Sequence, residues 1–133
     1  MKKLLIIIFL IPLLSSCVGT GSKIKPNITT SNSGNTTLYF TRQGGFIASG
    51  VLAKVEVNGR EIARLGTKEH LTHNVSTNFR INVSGAGLGG IGMGGDSISG
   101  VANGKNYFYI IGVKQGLFST KFIINETTES GYK

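Results

Sequence analysis

Val51-Leu52-Ala53-Lys54-Val55-Glu56-Val57-Asn58-Gly59-Arg60-Glu61-Ile62-Ala63-Arg64-Leu65 decides how the rest of this chain is read. Val51, Ala53, Val55 and Val57 alternate with Leu52, Lys54 and Glu56, the two-residue period of a strand with one buried face. Asn58-Gly59 follows, and a second run leads back. Both central residues of a type I′ turn need positive φ, which Asn and Gly tolerate, so the stretch predicts a tight hairpin. A two-residue loop pairs Val57 with Arg60, Val55 with Ile62 and Ala53 with Arg64. It also sets Glu56 opposite Glu61, and Lys54, diagonal to Glu61, offsets the repulsion. Two carboxylates on a solvated hairpin read as surface charge, not as an acid–base pair.

Further strands are expected on both sides of this hairpin. Leu38-Tyr39-Phe40-Thr41-Arg42 is β-branched and aromatic; Leu71 and Val75 mark a short strand within Thr67–Val75. Phe79-Arg80-Ile81-Asn82-Val83-Ser84 alternates cleanly, Tyr107 to Val113 is apolar on both faces and so central, and Leu117 to Ile124 closes the set. These seven strands predict an all-β fold, a small antiparallel β-sandwich over 36–125. Its expected core is Tyr39, Val55, Val57, Ile62, Phe79, Ile81, Val83, Tyr109, Ile111, Phe118 and Phe122. Twenty glycines, no Trp and 15% charged residues agree with turns and strands more than with helices.

At the other end of the chain, Met1-Lys2-Lys3 and the apolar run Leu4–Leu14 form the n- and h-regions of a signal peptide, too short to span a bilayer. Leu14-Ser15-Ser16-Cys17 matches the bacterial lipoprotein box: an aliphatic residue, two small ones, then cysteine. Cys17 is the single cysteine of the chain, so it is expected to carry lipid and no intramolecular disulfide. Acyl chains contribute about 0.8 kcal/mol per buried methylene, enough in combination for lasting attachment. The organisation predicted is therefore a signal peptide over 1–16, lipidated Cys17 with a flexible tether over 17–35, the sandwich, and a polar tail over 126–133. The tether, rich in Ser, Thr, Asn and Gly, is expected to let the domain stand well clear of the head groups. Val18 after the cysteine favours the outer membrane by the sorting rule of enteric bacteria, with the domain facing the periplasm.

The net charge of +8 falls to +6 once Lys2 and Lys3 leave with the leader. A basic envelope domain is drawn to anionic lipid or glycan, or to another envelope protein, and an exported lipoprotein seldom meets nucleic acid. Candidate contact residues lie in two loops. Phe46 and Ile47 tip the Gly-rich loop Gln43–Gly50, where folding back over the core is the favoured expectation. Leu88, Ile91 and Met93 crest the run Gly85–Gly95, expected to be a long flexible loop. That run contains G-x-G-x-x-G, but among strands and without a following helix it does not read as a nucleotide fingerprint. Its four-residue glycine spacing resembles a membrane zipper, yet about a dozen residues cannot cross a bilayer.

Chemistry is sparsely supplied. His70 and His73 are three apart, which on a strand sends them to opposite faces, so no metal site is expected. Asp96 is the single aspartate, and no Ser-His-Asp set assembles around the histidines. No catalytic residue, cofactor or metal is predicted.

The order of motifs is informative in a second way. Leu38-Tyr39-Phe40, then Val55-Glu56-Val57-Asn58-Gly59-Arg60-Glu61-Ile62 with Leu65, then Gly104-Lys105-Asn106-Tyr107-Phe108-Tyr109, resembles the small bacterial lipoproteins of domain of unknown function 2846, which are similar to PEGA-type β-sandwich domains. The likeness runs from about Thr37 to Ile124, departing at Ser76-Thr77-Asn78 and in the glycine-rich run. It implies a fold and a lipid anchor, and no catalytic residues. The expected role is a lipid-anchored envelope lipoprotein that binds or scaffolds without catalysis. The alternatives are a membrane-perturbing protein acting through 85–95 or, less favoured, an envelope enzyme.

Overall fold

A computed structural model describes residues 19–29 and 35–133; the leader, Cys17 and Val18 lie outside them. Eight strands build the domain: β1 (Thr36–Arg42), β2 (Ala53–Val57), β3 (Arg60–Leu65), β4 (His70–Val75), β5 (Phe79–Gly85), β6 (Asp96–Gly100), β7 (Asn106–Gln115) and β8 (Thr120–Thr127), followed by a one-turn helix α1 (Glu129–Tyr132). They form two four-stranded sheets, ordered β4-β1-β7-β8 and β3-β2-β5-β6. The all-β sandwich is thus observed, with eight strands instead of seven. The extra strand is β6, whose Asp-Ser-Ile-Ser-Gly carries one large apolar residue; its ladder to β5 identifies it, not its side chains. The second sheet is antiparallel throughout. In the first, β1 lies parallel to β7, a departure from the all-antiparallel expectation, because the chain reaches β7 after an even number of reversals.

Strand direction divides the connections between two ends of the sandwich. Odd-numbered strands run towards one end, where β1–β2, β3–β4, β5–β6 and β7–β8 are joined. This is the loop end. The β2–β3, β4–β5 and β6–β7 connections form the opposite, turn end.

The Asn58-Gly59 hairpin forms as its sequence dictates, with φ of 51° and 81° at the two turn residues. Val57 pairs with Arg60 and Glu56 with Glu61, but the register then shifts, so that Val55 meets Ala63 and Ala53 meets Leu65. The bulge rotates β3 by one residue: Ala63 and Leu65 enter the core and Ile62 is only partly buried. Lys54 pairs with Glu56 at 3.3 Å, and Glu61 is matched by Arg64 at 2.6 Å.

Between the sheets lie Leu38 and Phe40 of β1 with Val55, Leu65, Ile81, Val83, Tyr109, Ile111, Phe122 and Ile124. Besides Ile62, two expected core residues are placed otherwise. Tyr39 is buried on the outer face of its sheet, because Leu38 and Phe40 take the inward phase of β1. Phe118 falls in the β7–β8 connection and is fully exposed. Tyr39 is covered from the segment read as a polar tail. There β8 continues to Thr127, Thr128 caps α1, and Tyr132 packs on Tyr39 and Phe108, with ring centroids 6.0 and 5.5 Å away.

The stretch Gly19–Thr29, read as flexible tether, is a strap along the domain. Thr20 N donates to Arg64 O on β3, and Ser22 exchanges backbone hydrogen bonds with His70 on β4. It thereby ties together the free edges of both sheets. On the far side, Gly94 bridges to Lys121, and the Asp96 carboxylate accepts from Ile124 N at 3.1 Å, joining β6 to β8.

Candidate functional site: a loop end tipped with apolar side chains

Arg42 organises the loop end. It is the last residue of β1 and inherits that strand's inward phase, so its guanidinium is carried beneath the loops and is 2% exposed. Nη1 donates to Val51 O and Leu65 O, Nη2 donates to Ala48 O, and the group lies 5.0 Å from the Phe122 ring centroid. Burial pushes its pKa down, while the nearby Glu69 carboxylate raises it. Glu69, itself buried, accepts from Gly66 N and closes the β3–β4 connection. Two residues there hold left-handed backbone without being glycine, Ala48 at φ 55° and Lys68 at φ 61°. Each is restrained through Arg42: Ala48 by its carbonyl, Lys68 by donating its N–H to Arg42 O. A polar scaffold under the surface thus fixes the β1–β2 and β3–β4 connections, while Gly116 N–H closes the β7–β8 turn on Ser119 O.

Those tips are Phe118 (100% exposed), Phe46 (97%), Leu117 (94%), Leu88 (88%), Ile91 (75%) and Ile47 (46%). Three of the four connections at this end contribute. Of the contact residues expected from sequence, Phe46, Ile47, Leu88 and Ile91 come together here, and Met93 is instead partly buried against the core. Phe46 and Ile47 do not fold back over the core as expected, because Arg42 and Val51 already fill the space beneath their loop. Leu117 and Phe118, expected to open the last strand, lie instead in the β7–β8 connection. The signal that separates them is Gly116, which ends β7 and leaves the next strand to begin at Thr120.

The glycine-rich run is a folded turn, not the long flexible loop its composition predicts. Gly85 and Gly90 meet backbone to backbone, and a Cβ on Gly90 would lie 2.3 Å from the carbonyl carbon of Gly85. Leu88–Gly90 makes one 3-10 turn, and Met93 and Gly94 lead the chain back to β6 and β8. Glycine is used here for close approach.

Cationic side chains surround the tips. Lys68, Lys114 and Lys121 are exposed at this end, and Lys114 and Lys121 are direct partners across the β7–β8 ladder. Like charges facing each other in register repel. None of the three joins a salt bridge among the described residues. The acids of this end are engaged with backbone, Glu69 at Gly66 N and Asp96 at Ile124 N and Ser97 N.

The two histidines lie along β4, an edge strand of the first sheet. His70 Nδ1 lies 3.2 Å from the Tyr132 hydroxyl, and burial followed by Lys25 lowers its pKa. His73 is lowered by burial and then by Arg60. Burial also pushes the Tyr132 hydroxyl up to about 12, with Tyr39 adding to it. Tyr132 and His70 therefore form a neutral pair that anchors the C-terminus. Among the described residues, no group of three or more His, Cys, Asp or Glu could hold a metal ion, and no helix is long and apolar enough to cross a membrane. No family model, curated protein or solved structure matches the chain.

Proposed function

We propose that the protein is a lipid-anchored lipoprotein of the bacterial envelope, attached through acylated Cys17, with a non-enzymatic binding or scaffolding role. Membership of the domain of unknown function 2846 group, with its PEGA-like sandwich, belongs to the same proposal. The observation that carries it is the pairing of the Leu14-Ser15-Ser16-Cys17 box with a sandwich in which six of the eight exposed large apolar side chains among the described residues gather at one end. Isolated exposed apolar residues are ordinary, but six at one end of a small domain mark a contact surface. The sandwich presents that surface to a membrane, an anionic envelope glycan or lipid, or another envelope protein.

A non-catalytic role is supported by what the polar groups already do. His70 is bonded to Tyr132, Asp96 to backbone, and Arg42 to three carbonyls. The membrane-perturbing alternative through 85–95 has less support, since Gly85 and Gly90 are spent on contact with each other.

Expression of the full chain with its leader in a bacterial host tests the anchor. Mass spectrometry is expected to find the leader removed and Cys17 diacylglyceryl-modified, and Cys17→Ala to release the protein from the membrane fraction. An intact leader above an unmodified thiol overturns the proposal.

A further inference from the structure

We propose that the loop end docks on the same bilayer that holds the Cys17 lipid, so that the domain lies against the head groups with Phe46, Leu88, Ile91, Leu117 and Phe118 entering the interface. This deepens the anchor reading and rests on it. The expectation from sequence alone was the reverse, a domain held clear of the surface by a long tether.

The strap removes that tether's length. Gly19 packs against Gly66 and Glu69 of the β3–β4 connection, at the loop end. From there the strap runs to Thr29, whose carbonyl accepts from Asn106 Nδ2 at the turn end, 2.9 Å away. The chain therefore leaves the described domain at the loop end, and only Val18 stands between Gly19 and Cys17. Two residues of extended chain reach about 7 Å. The Cys17 lipid attachment is then tethered within about 7 Å of Gly19 at the end that bears the apolar tips, and the turn end cannot be brought to the bilayer without pulling the strap off β3 and β4.

Charge agrees with the same occupant. Lys68, Lys114 and Lys121 ring the tips, and the unfavourable Lys114–Lys121 register is relieved by an anion between them. Four of the six acids, Glu56, Glu61, Glu126 and Glu129, lie towards the turn end, and the two at the loop end are tied to backbone N–H groups. Apolar side chains at the centre of a cationic rim are what an interfacial contact with anionic lipid requires.

The chain has no tryptophan, which makes the test direct. Phe118→Trp and, at the turn end, Val101→Trp each introduce a single reporter at an exposed site. The acylated full chain is reconstituted into vesicles of phosphatidylethanolamine and phosphatidylglycerol, with doxyl-labelled lipid as quencher. The Phe118→Trp variant is expected to emit at shorter wavelength than in detergent-free buffer and to lose at least half its intensity to the quencher, while Val101→Trp stays unquenched. Ile91→Trp should repeat the first result from a different loop. Replacing Lys68, Lys114 and Lys121 by Gln should reduce quenching at least twofold in these vesicles. With Cys17 acylated, equal and weak quenching at Phe118→Trp, Ile91→Trp and Val101→Trp overturns the docking and leaves the anchor standing. A blue shift seen only in native envelopes, without lipid quenching, assigns the face to a protein partner and overturns the docking as well. An unmodified Cys17 overturns both.

Discussion

The two ends of the sandwich solve the same problem, reversing a strand, with different chemistry. At the turn end the reversals are short and polar. Asn58 receives the Arg80 N–H on its side-chain oxygen and donates its amide to Asn78 O, and Thr36 Oγ1 accepts from both Asn103 and Gly104 N–H groups. Positive φ there falls on Asn58, Gly59 and Gly104, residues that tolerate it. At the loop end it falls also on Ala48 and Lys68, which do not, and the compensation comes from a buried guanidinium. One end is closed by polar turn side chains; the other is held by a buried cation and exposes apolar side chains. Left-handed non-glycine backbone and exposed apolar surface thus coincide at the end that the proposed contact uses.

Three experiments sharpen that contrast, beginning with the largest effect. Arg42→Met removes a charge but leaves three carbonyls beneath the loops without donors, and is expected to cost about 3–5 kcal/mol in urea unfolding. Its counterpart at the turn end, Thr36→Val, should cost less, about 1–3 kcal/mol. Equal losses would mean that Arg42 is no more central than an ordinary buried hydroxyl.

Acidification should give the next largest effect. The folded-state pKa values of His70 and His73 lie below the ordinary value, so below about pH 6.5 the unfolded chain binds protons that the folded chain refuses. Stability is full above that pH and falls as the pH drops through the folded values. His70 lies against the strap and Tyr132, while His73, three residues further along β4, lies near Arg60. Replacing both by Gln should flatten the dependence between pH 5 and 7, and an unchanged slope would place the acid-sensitive groups elsewhere.

The smallest effect is the most telling. Phe46→Ser, Leu117→Ser and Phe118→Ser remove side chains with almost no burial to lose, and each should change unfolding free energy by less than about 0.5 kcal/mol. A loss above 1 kcal/mol at Phe118 would show that the tip packs in solution and would remove it from the contact surface.

How much of this was legible in the sequence depended on the distance over which each feature is determined. The Asn58-Gly59 hairpin is written in adjacent residues and was read correctly. Its bulge was not, because it is set by Ala63 and Leu65 meeting the opposite sheet, while local alternation favours Ile62. Tyr132 looked like part of a polar tail; the partners that bury it, Tyr39 and His70, are 93 and 62 positions away in the numbering. Composition misled at Gly85–Gly95, where glycine permits close packing and was read as mobility. The candidate site was half legible. Phe46, Ile47, Leu88 and Ile91 announced themselves as apolar residues among glycines, but only the alternation of strand direction gathers them at one end. Arg42 left no signal, since a cation closing a β-strand reads as a surface residue until three carbonyls converge on it.

The parallel ladder between β1 and β7 has a temporal consequence. Thr37 to Arg42 pairs with Asn106 to Ile111, so the central contact of the first sheet joins segments almost seventy residues apart, with all four strands of the second sheet between them in the chain. Before Asn106 emerges, β1 has only β4 beside it and its Leu38 and Phe40 lack the Tyr109 and Ile111 layer. Folding dominated by such non-local pairing is slow, on the order of milliseconds to seconds. A growing chain would therefore stay pliable until nearly the last strand is made.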